Sequence, residues 1–318
     1  MKVIDHIQSA RNPQVSVEII PPKRGGNITE FHEAIESIRP FNPPFVNVTS
    51  HAADVAWEER PDGTFHRRTR RKSPGTFGLC AVIKYKYNIE PVPHILCAGF
   101  TREETEDALI ELNYLGIENL LAIRGDGKPK RELAPGRTSN TYASDLVQQI
   151  VNMNHGVYQE QLMDAAKTNF CVGVAAYPEK HFEAPNRMFD LEMLKKKQEA
   201  GAQFAVTQMF YDNQSYFDFC DRARKFGITM PIIPGLKIMT SKQQLTSIPR
   251  SFHIDIPYEL TQSVMEATTP AEVTQVGVEW AYRQAMDLLE KGAPILHFYI
   301  MQRTRPFVRL MEMLSKHL

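Results

Sequence analysis

Two carboxylates are the side chains best placed for chemistry in this sequence, because each lies where a buried strand is expected to end. Glu18 interrupts the apolar run VSVEII (15–20), which two prolines follow, and Asp126 comes directly after NLLAIRG (119–125). A charge in apolar surroundings is unfavourable unless it is paired or neutralised. Glu18 therefore lies either on the wet face of an edge strand or against a site that uses a carboxylate.

Short β-branched runs alternate with longer helical segments, and these elements must position the two carboxylates. The predicted strands are 15–20, 45–50, 93–97, 119–125, 171–177, 204–210, 231–236 and 295–301. The predicted helices cover 29–39, 101–116, 144–154, 189–201, 213–227, 241–248 and 271–292. Thr101 and Glu104 predict a capping box, and Gly116, Gly201 and Gly227 stand where helices should end.

This alternation predicts an α/β protein, a single-domain (β/α)8 TIM barrel over residues 1–318. An open doubly wound sheet is the alternative, but no GxGxxG motif follows the first strand. Barrel active sites form at the carboxyl ends of the strands. Polar side chains at those predicted ends favour a ligand site; they are Glu18, Thr49, Ser50, His94, Arg124, Asp126, Tyr177, His181, Gln208, Gln302 and Arg303.

Composition excludes several function classes. The 37 basic and 37 acidic residues balance, so no general attraction to nucleic acid is expected, and the basic run HRRTRRKSPG (66–75) is interpreted as a solvated loop. The four cysteines have no metal-binding or paired spacing, which predicts reduced thiols and no metal site. Without a signal-like or membrane-spanning run, a soluble cytoplasmic protein is expected.

Motifs along nearly the whole chain resemble one family. VEIIPP, FVNVTS, PHILC, LAIRGD, YASDLV, VGVAAYPEKH, FAVTQMFYD, IIPGL and LHFYIMQR occur in the order and spacing of methylenetetrahydrofolate reductases. The combination of AAYPEKH (175–181) with TQMFYD (207–212) is the most specific part. The likeness is to the short bacterial form, so no regulatory extension is expected.

The resemblance implies a barrel that binds FAD non-covalently and reduces 5,10-methylenetetrahydrofolate to 5-methyltetrahydrofolate, which supplies methyl groups for methionine synthesis. A reduced nicotinamide, NADH rather than NADPH by likeness to bacterial forms, gives its hydride to the flavin and leaves before folate binds. A homo-oligomer is expected on the same ground. Two alternatives remain open: a flavin-free, folate-dependent one-carbon transferase, and a barrel that binds flavin or folate without catalysis.

The resemblance also assigns residues. Glu18 matches the general acid, for which a raised pKa is expected, and Asp126 matches a carboxylate beside flavin and pterin. Gln208, Gln244 and Arg303 match substrate-binding positions. The matching FAD positions are Thr49, Ser50, His94, Arg124, Gly125, Asp126, Tyr142, Ala143, Tyr177, His181, Asp190, Lys196 and Lys197.

Some positions depart from the family pattern. Met193 replaces a polar FAD contact, and Ile248 stands where an aromatic side chain can cover the flavin. Residues 56–90 align poorly with shorter members. A subunit contact or a role in binding a polyglutamate tail are the hypotheses for that segment.

Overall fold

The computed structural model describes residues 1–70, 73–125 and 136–318. The strands are β1 Gln14–Ile19, β2 Phe45–Val48, β3 Asp54–Glu59, β4 Phe65–Arg70, β5 Glu90–Leu96, β6 Asn119–Ile123, β7 Cys171–Ala176, β8 Phe204–Thr207, β9 Ile232–Ile233, β10 Gly235–Leu236 and β11 Ile295–Met301. The helices are α1 Val3–Ser9, α2 Ile28–Ile38, α3 Thr76–Tyr87, α4 Arg102–Tyr114, α5 Ala143–Asn154, α6 Arg187–Glu199, α7 Asn213–Lys225, α8 Gln244–Phe252, α9 Tyr258–Glu266, α10 Pro270–Glu290 and α11 Thr304–Leu314.

One interrupted strand closes the barrel. The parallel strand order is β10-β11-β1-β2-β5-β6-β7-β8-β9, so β9 and β10 lie at the two ends of one sheet. Only Pro234 separates them in sequence. Proline has no backbone N–H to donate, but its carbonyl accepts a hydrogen bond from His297 at 3.0 Å. Counted as one strand, β9–β10 completes eight parallel strands, which confirms the predicted (β/α)8 barrel.

Strand alternation divides the side chains between two environments. Outward residues such as Val15, Val17 and Ile19 pack under the helices in the main core. At the amino ends of the strands, the barrel interior is a separate apolar cluster that comprises Val3, Phe45, Val92, Leu121, Cys171, Phe204, Val206, Ile233 and Ile295. Val3 belongs to α1, and its N–H donates to Asn119 Oδ1 at the start of β6, at 2.8 Å. Helix α1 therefore closes this end of the barrel.

The structure contains all eight predicted strands and confirms the predicted capping box and the glycines predicted at helix ends. Thr101 N–H donates to Glu104 Oε2 (2.8 Å) and Glu104 N–H donates to Thr101 Oγ1 (3.1 Å), which is the predicted capping box. Gly116, Gly201 and Gly227 all have positive φ. Several boundaries were wrong: β2 ends at Val48, β8 ends at Thr207, and the helix predicted at 241–248 covers Gln244–Phe252. Helices α1, α3, α9 and α11 were not predicted.

The segment 56–90 contains most of three unpredicted elements: β3 and β4, which pair as an antiparallel hairpin, and α3. Residues 66–70 of the basic run therefore belong to a strand rather than to a loop, whereas Arg71 and Lys72 lie outside the described residues. Trp57 and Phe65 are both 63% exposed on the hairpin. No helix in the described part of the chain combines the length and hydrophobicity that crossing a membrane requires. The four cysteines are free.

Candidate active site

The alternation of β1 directs Glu18 into the barrel. Its neighbours Val17 and Ile19 pack in the outer core, while Glu18 faces inward and is 7% exposed. Glu18 is in register with Asn47 of β2 and Tyr299 of β11. The register with β11 shifts immediately afterwards, at a bulge that pairs Ile19 with Met301. Bulges of this kind re-aim side chains next to functional sites.

Two imidazoles surround the Glu18 carboxylate. Oε2 of Glu18 lies 3.3 Å from His94 Nε2 and 4.0 Å from His297 Nε2. On its other side, His297 Nδ1 lies 2.8 Å from Ser16 Oγ. All four side chains are buried. Glu18 is therefore an interior carboxylate and does not face water on an edge strand.

The expectation of a raised Glu18 pKa is wrong for this structure. Burial by itself raises the pKa, but attraction to His94 and the contacts with both rings outweigh it and lower the pKa to about 2. Burial also lowers the pKa of His297. The sequence indicated burial, but it did not indicate that β5 and β11 each add an imidazole beside the carboxylate.

A cavity of about 340 Å³ opens between the ends of β1, β10 and β11. Its lining includes two predicted substrate residues, Gln244 and Arg303, which the structure links through Thr240. Gln244 Oε1 accepts a hydrogen bond from Thr240 N–H at 2.6 Å, and Arg303 Nη1 donates to Thr240 Oγ1 at 2.9 Å. The two residues therefore belong to one polar wall of the cavity.

Lys237 is a cation in the same wall that the sequence reasoning did not select. Its Nζ donates to the Tyr299 carbonyl oxygen at 3.2 Å, and Tyr299 is the register partner of Glu18. Burial lowers the pKa of Lys237, while the Glu18 charge raises it and Arg303 lowers it. Lys237 thus lies within electrostatic reach of both Glu18 and Arg303.

A second group of predicted residues meets around the ends of β6 and β7. The Tyr177 and His181 rings contact edge to face, with centroids 4.6 Å apart. Arg124 forms a bidentate ion pair with Glu183: Nη1 donates to Oε2 at 2.5 Å, and Nη2 donates to Oε1 at 2.9 Å. Gly125 follows with φ of 92°, and an added Cβ would lie 3.3 Å from Ala98 Cβ. These predicted residues therefore lie together at one part of the carboxyl rim.

Helix α6 brings Asp190 and Lys197, both of which the resemblance assigned to FAD, to this group. Asp190 Oδ2 accepts from His181 N–H at 3.1 Å, and Lys197 Nζ donates to Ala175 O at 2.9 Å. Burial lowers the pKa of Lys197 to about 8, although Asp190 opposes the decrease. Lys196, in contrast, is exposed on α6. Lys197 is therefore the more buried of the two predicted lysines.

The other predicted positions are distributed along the carboxyl rim. Thr49 and Ser50 follow β2, and the buried Thr49 Oγ1 has no hydrogen-bond partner within the described ranges. Tyr142 is exposed immediately before α5, which begins at the buried Ala143. Gln208 follows β8, and its Oε1 accepts from Met209 N–H at 3.0 Å. Asp126 lies outside the described residues.

The two departures from the family pattern have different surroundings. Ile248 is buried in a cluster with Met209 and Tyr211, and Met193 is half-buried on α6.

Sequence reasoning missed Ser16, Asn47, Lys237 and His297. Ser16 and His297 share strand parity with Glu18 and Tyr299, so the alternation in VSVEII and ILHFYIM was a usable signal. Asn47 is fully buried, and both of its side-chain polar atoms are unpartnered within the described part of the chain.

Comparison with known proteins identifies the family. Residues 2–315 match the family described as methylenetetrahydrofolate reductase. The chain belongs to this family. A protein from Escherichia coli K12 named 5,10-methylenetetrahydrofolate reductase is 30% identical over 291 residues, which cover 91% of this chain and 86% of that protein.

Longer relatives match over only part of their length. Methylenetetrahydrofolate reductase 1 of Schizosaccharomyces pombe is 28% identical over 302 residues, which cover 94% of this chain and 45% of that protein. The chain thus spans about half the length of such relatives.

A solved structure supports the fold. It is that of an uncharacterized protein from Clostridium thermocellum that binds two copies of 5-methyl-5,6,7,8-tetrahydrofolic acid. The likeness has a TM-score of 0.61 at 14% identity and covers 99% of both chains.

Proposed function

We propose that this protein reduces 5,10-methylenetetrahydrofolate to 5-methyltetrahydrofolate, with NADH as the electron source and non-covalently bound FAD as the carrier. Membership of the reductase family supports the reaction class. The observation that carries the proposal is the buried Glu18 carboxylate, 3.3 Å from His94 and close to a cavity with a polar wall. Such a pair is suited to holding and delivering a proton.

The residues around β6, β7 and α6 fit FAD. Lys197 is a half-buried ammonium that donates to one carbonyl oxygen, and the Arg124 guanidinium, which is paired with Glu183, lies nearby. Both suit a pyrophosphate, which no glycine-rich loop is present to bind. The unpartnered Thr49 Oγ1 suits a polar group of the cofactor. Bound FAD would supply hydride transfer between nicotinamide and folate.

The reaction also requires one proton, and Glu18 is placed to deliver it. The bond between the methylene carbon and one folate nitrogen breaks, the nitrogen gains the proton and the carbon gains the hydride. The low pKa leaves Glu18 ionised before folate binds. Because the His94 ring lies 3.3 Å from the Glu18 carboxylate, a proton can pass between the two groups on its way to the folate nitrogen. The histidine–carboxylate pair, rather than Glu18 alone, is thus the proton source that we propose.

Substrate binding is assigned to Gln208, Gln244 and Arg303, and Asp126 is proposed to lie beside the flavin and pterin rings. The linked Gln244, Thr240 and Arg303 offer donors for the polar groups of a folate. The Clostridium thermocellum barrel, which binds 5-methyl-5,6,7,8-tetrahydrofolic acid, shows that a barrel of this kind accommodates a reduced folate.

The first test is the visible spectrum of the purified protein. A flavin band near ~450 nm should bleach on anaerobic addition of NADH and recover on addition of 5,10-methylenetetrahydrofolate, because the cofactor carries the hydride. A protein that stays colourless and takes up no added FAD would refute the reductase proposal. A flavin that NADH bleaches but folate does not reoxidise would favour a different hydride acceptor.

Two further properties are proposed with this function. NADH should bleach the flavin faster than NADPH at equal concentration. Light scattering after size-exclusion chromatography should give the mass of a homo-oligomer rather than that of one 36.3 kDa chain.

A further inference from the structure

The His297 ring beside Glu18 is held in place by its neighbours. His297 and Ser16 are both fully buried, and His297 Nδ1 lies 2.8 Å from Ser16 Oγ. The ring is stacked on Phe45, with centroids 6.5 Å apart, and meets Tyr299 edge to face at 5.2 Å. Packing therefore sets the ring plane, so that Nδ1 faces a hydroxyl while Nε2 faces the Glu18 carboxylate at 4.0 Å.

The charge state of His297 decides what this ring offers to Glu18. Burial lowers the pKa of His297, so the ring is neutral at pH 7 and carries one N–H and one bare nitrogen. Glu18 is ionised at this pH, because its pKa is lowered to about 2. A bare Nε2 would set a lone pair against the carboxylate. Electrostatics therefore favours the tautomer in which Nε2 carries the proton and directs an N–H dipole at Glu18.

The Ser16 hydroxyl supports the same tautomer. When Nε2 carries the proton, Nδ1 is an acceptor, and the Ser16 O–H can donate to it over 2.8 Å. The Leu296 carbonyl oxygen, which also lies near this hydroxyl, is 3.5 Å away, longer than a normal O–H···O hydrogen bond. Because a buried nitrogen without a donor is unfavourable, the hydroxyl stabilises the form of His297 that faces Glu18 with an N–H.

The titratable groups that face Glu18 from neighbouring elements of the described chain differ in what they do. They are His94 on β5, His297 and Tyr299 on β11, and Lys237 after β10. At 4.0 Å the Nε2–H of His297 is beyond hydrogen-bond range, so it acts on the carboxylate through its dipole in a buried site of low dielectric. His297 thus stabilises the ionised carboxylate without supplying a proton.

We propose that Ser16 and His297 are positioning residues for proton transfer from Glu18. The Ser16 hydroxyl donates to His297 Nδ1, and the His297 Nε2–H stabilises the carboxylate that remains when the proton has left. In that step the Glu18 O–H bond breaks and a folate N–H bond forms, while the electron pair of the cleaved C–N bond stays on the nitrogen. His94 exchanges a proton with Glu18, whereas His297 keeps its own. The inference rests on the proposed reductase function.

Nitrogen-15 NMR of the purified protein tests the tautomer without turnover. The ring signals of His297 are those that disappear in His297→Gln. At pH 7 we expect a bare Nδ1 and a protonated Nε2, and in Ser16→Ala the Nδ1 signal should move to that of a nitrogen without a hydrogen bond. A protonated Nδ1 in the wild type would overturn the proposal, whether or not the protein reduces folate.

The pH dependence of the folate half-reaction tests the effect on Glu18. This half-reaction should slow as pH rises through the pKa of the Glu18 acid. Ser16→Ala and His297→Leu should each move the decrease upward by about 0.5–1 pH unit, because a carboxylate that loses a stabilising dipole holds its proton more tightly. His297→Gln retains an N–H donor and should shift the profile less than His297→Leu.

A double variant and a matched control complete the test. Ser16→Ala should add no further shift to His297→Leu, since the hydroxyl acts through the imidazole. Ser37→Ala removes a hydroxyl that donates to Ala34 O on α2, and it should leave the profile unchanged. Circular dichroism checks folding, and His297→Gln substitutes if His297→Leu is unfolded. An unchanged profile in Ser16→Ala and in the His297 variant would overturn the proposal, whereas a flavin that folate never reoxidises would refute the reductase function and leave the NMR test in force.

Discussion

The two ends of the barrel interior contrast in the kind of side chain that they bury. At the amino ends of the strands, Phe45, Val92 and Phe204 pack in a closed apolar cluster under α1. At the carboxyl ends, Glu18 and the two imidazoles are buried, and Asn47 and Thr49 retain polar atoms without partners in the described chain. Tight apolar packing gives stability. The carboxyl end replaces part of that packing with buried polar groups, which is expected where a ligand supplies the missing contacts.

The largest effect is expected for Glu18→Gln at the polar end. An amide cannot deliver the proton that ring opening requires, so turnover should decrease by about 10²–10⁴-fold. Bleaching of the flavin by NADH should persist, because that step needs no proton from Glu18. Stopped-flow measurement of each half-reaction separates the two steps, and an unchanged folate half-reaction would refute the role of Glu18.

Phe204→Ala tests the closed end, where the ring packs against Gly173. Removal of a buried aromatic ring should reduce the free energy of unfolding by about 3–5 kcal/mol. The KM values of the remaining folded enzyme should stay near those of the wild type, since no predicted site residue lies in this cluster. Urea unfolding with parallel kinetics checks both points. A change in KM without loss of stability would contradict the division between the ends.

Lys197→Met should weaken FAD binding by about 10–100-fold, through loss of a charged hydrogen-bond donor. Lys196→Met is the matched control, because the neighbouring side chain is exposed. Fluorescence titration of the apoprotein with FAD measures both affinities. Equal losses in the two variants would show that FAD contacts the outer side of α6 as well.

Lys237→Met tests the lysine that lines the proposed folate cavity and that the sequence did not indicate. Its ammonium lines this cavity, within electrostatic reach of Glu18 and Arg303, so its removal should raise the Kd of 5-methyltetrahydrofolate by about tenfold. Lys242→Met is the control, since this exposed lysine donates to Met265 O outside the cavity lining. An unchanged Kd for the Lys237 variant would remove Lys237 from the substrate site.

A further effect is expected in acid stability. The Glu18 pKa is lowered in the folded state, from 4.5 to about 2, so its stabilising contribution is complete above pH 4.5 and disappears as pH falls towards 2. The decrease in the free energy of unfolding over this range should therefore be shallower in Glu18→Gln than in the wild type. Chemical denaturation at several pH values measures the two slopes, and parallel slopes would contradict the low pKa.

Much of the fold was readable from local pattern. Short β-branched runs gave the eight strands, and the Thr101–Glu104 capping box and the glycine C-caps gave helix ends, because these signals act over a few residues. The β3–β4 hairpin was missed, since its basic composition matched a solvated loop. The sequence predicted one strand over 231–236. In the structure Pro234 divides it into β9 and β10, which lie at the two ends of the sheet order and close the barrel.

The sequence by itself determined which residues could do chemistry, since the type of Glu18, Arg124 and Lys197, and the predicted strand or helix of each, were visible before any contact was known. Tertiary structure alone decided their chemical state. His94 and His297 come from strands far from β1 in sequence, and barrel closure places both beside Glu18 and lowers its pKa. A pKa depends on charges within a few ångströms, and a one-dimensional pattern does not specify those distances.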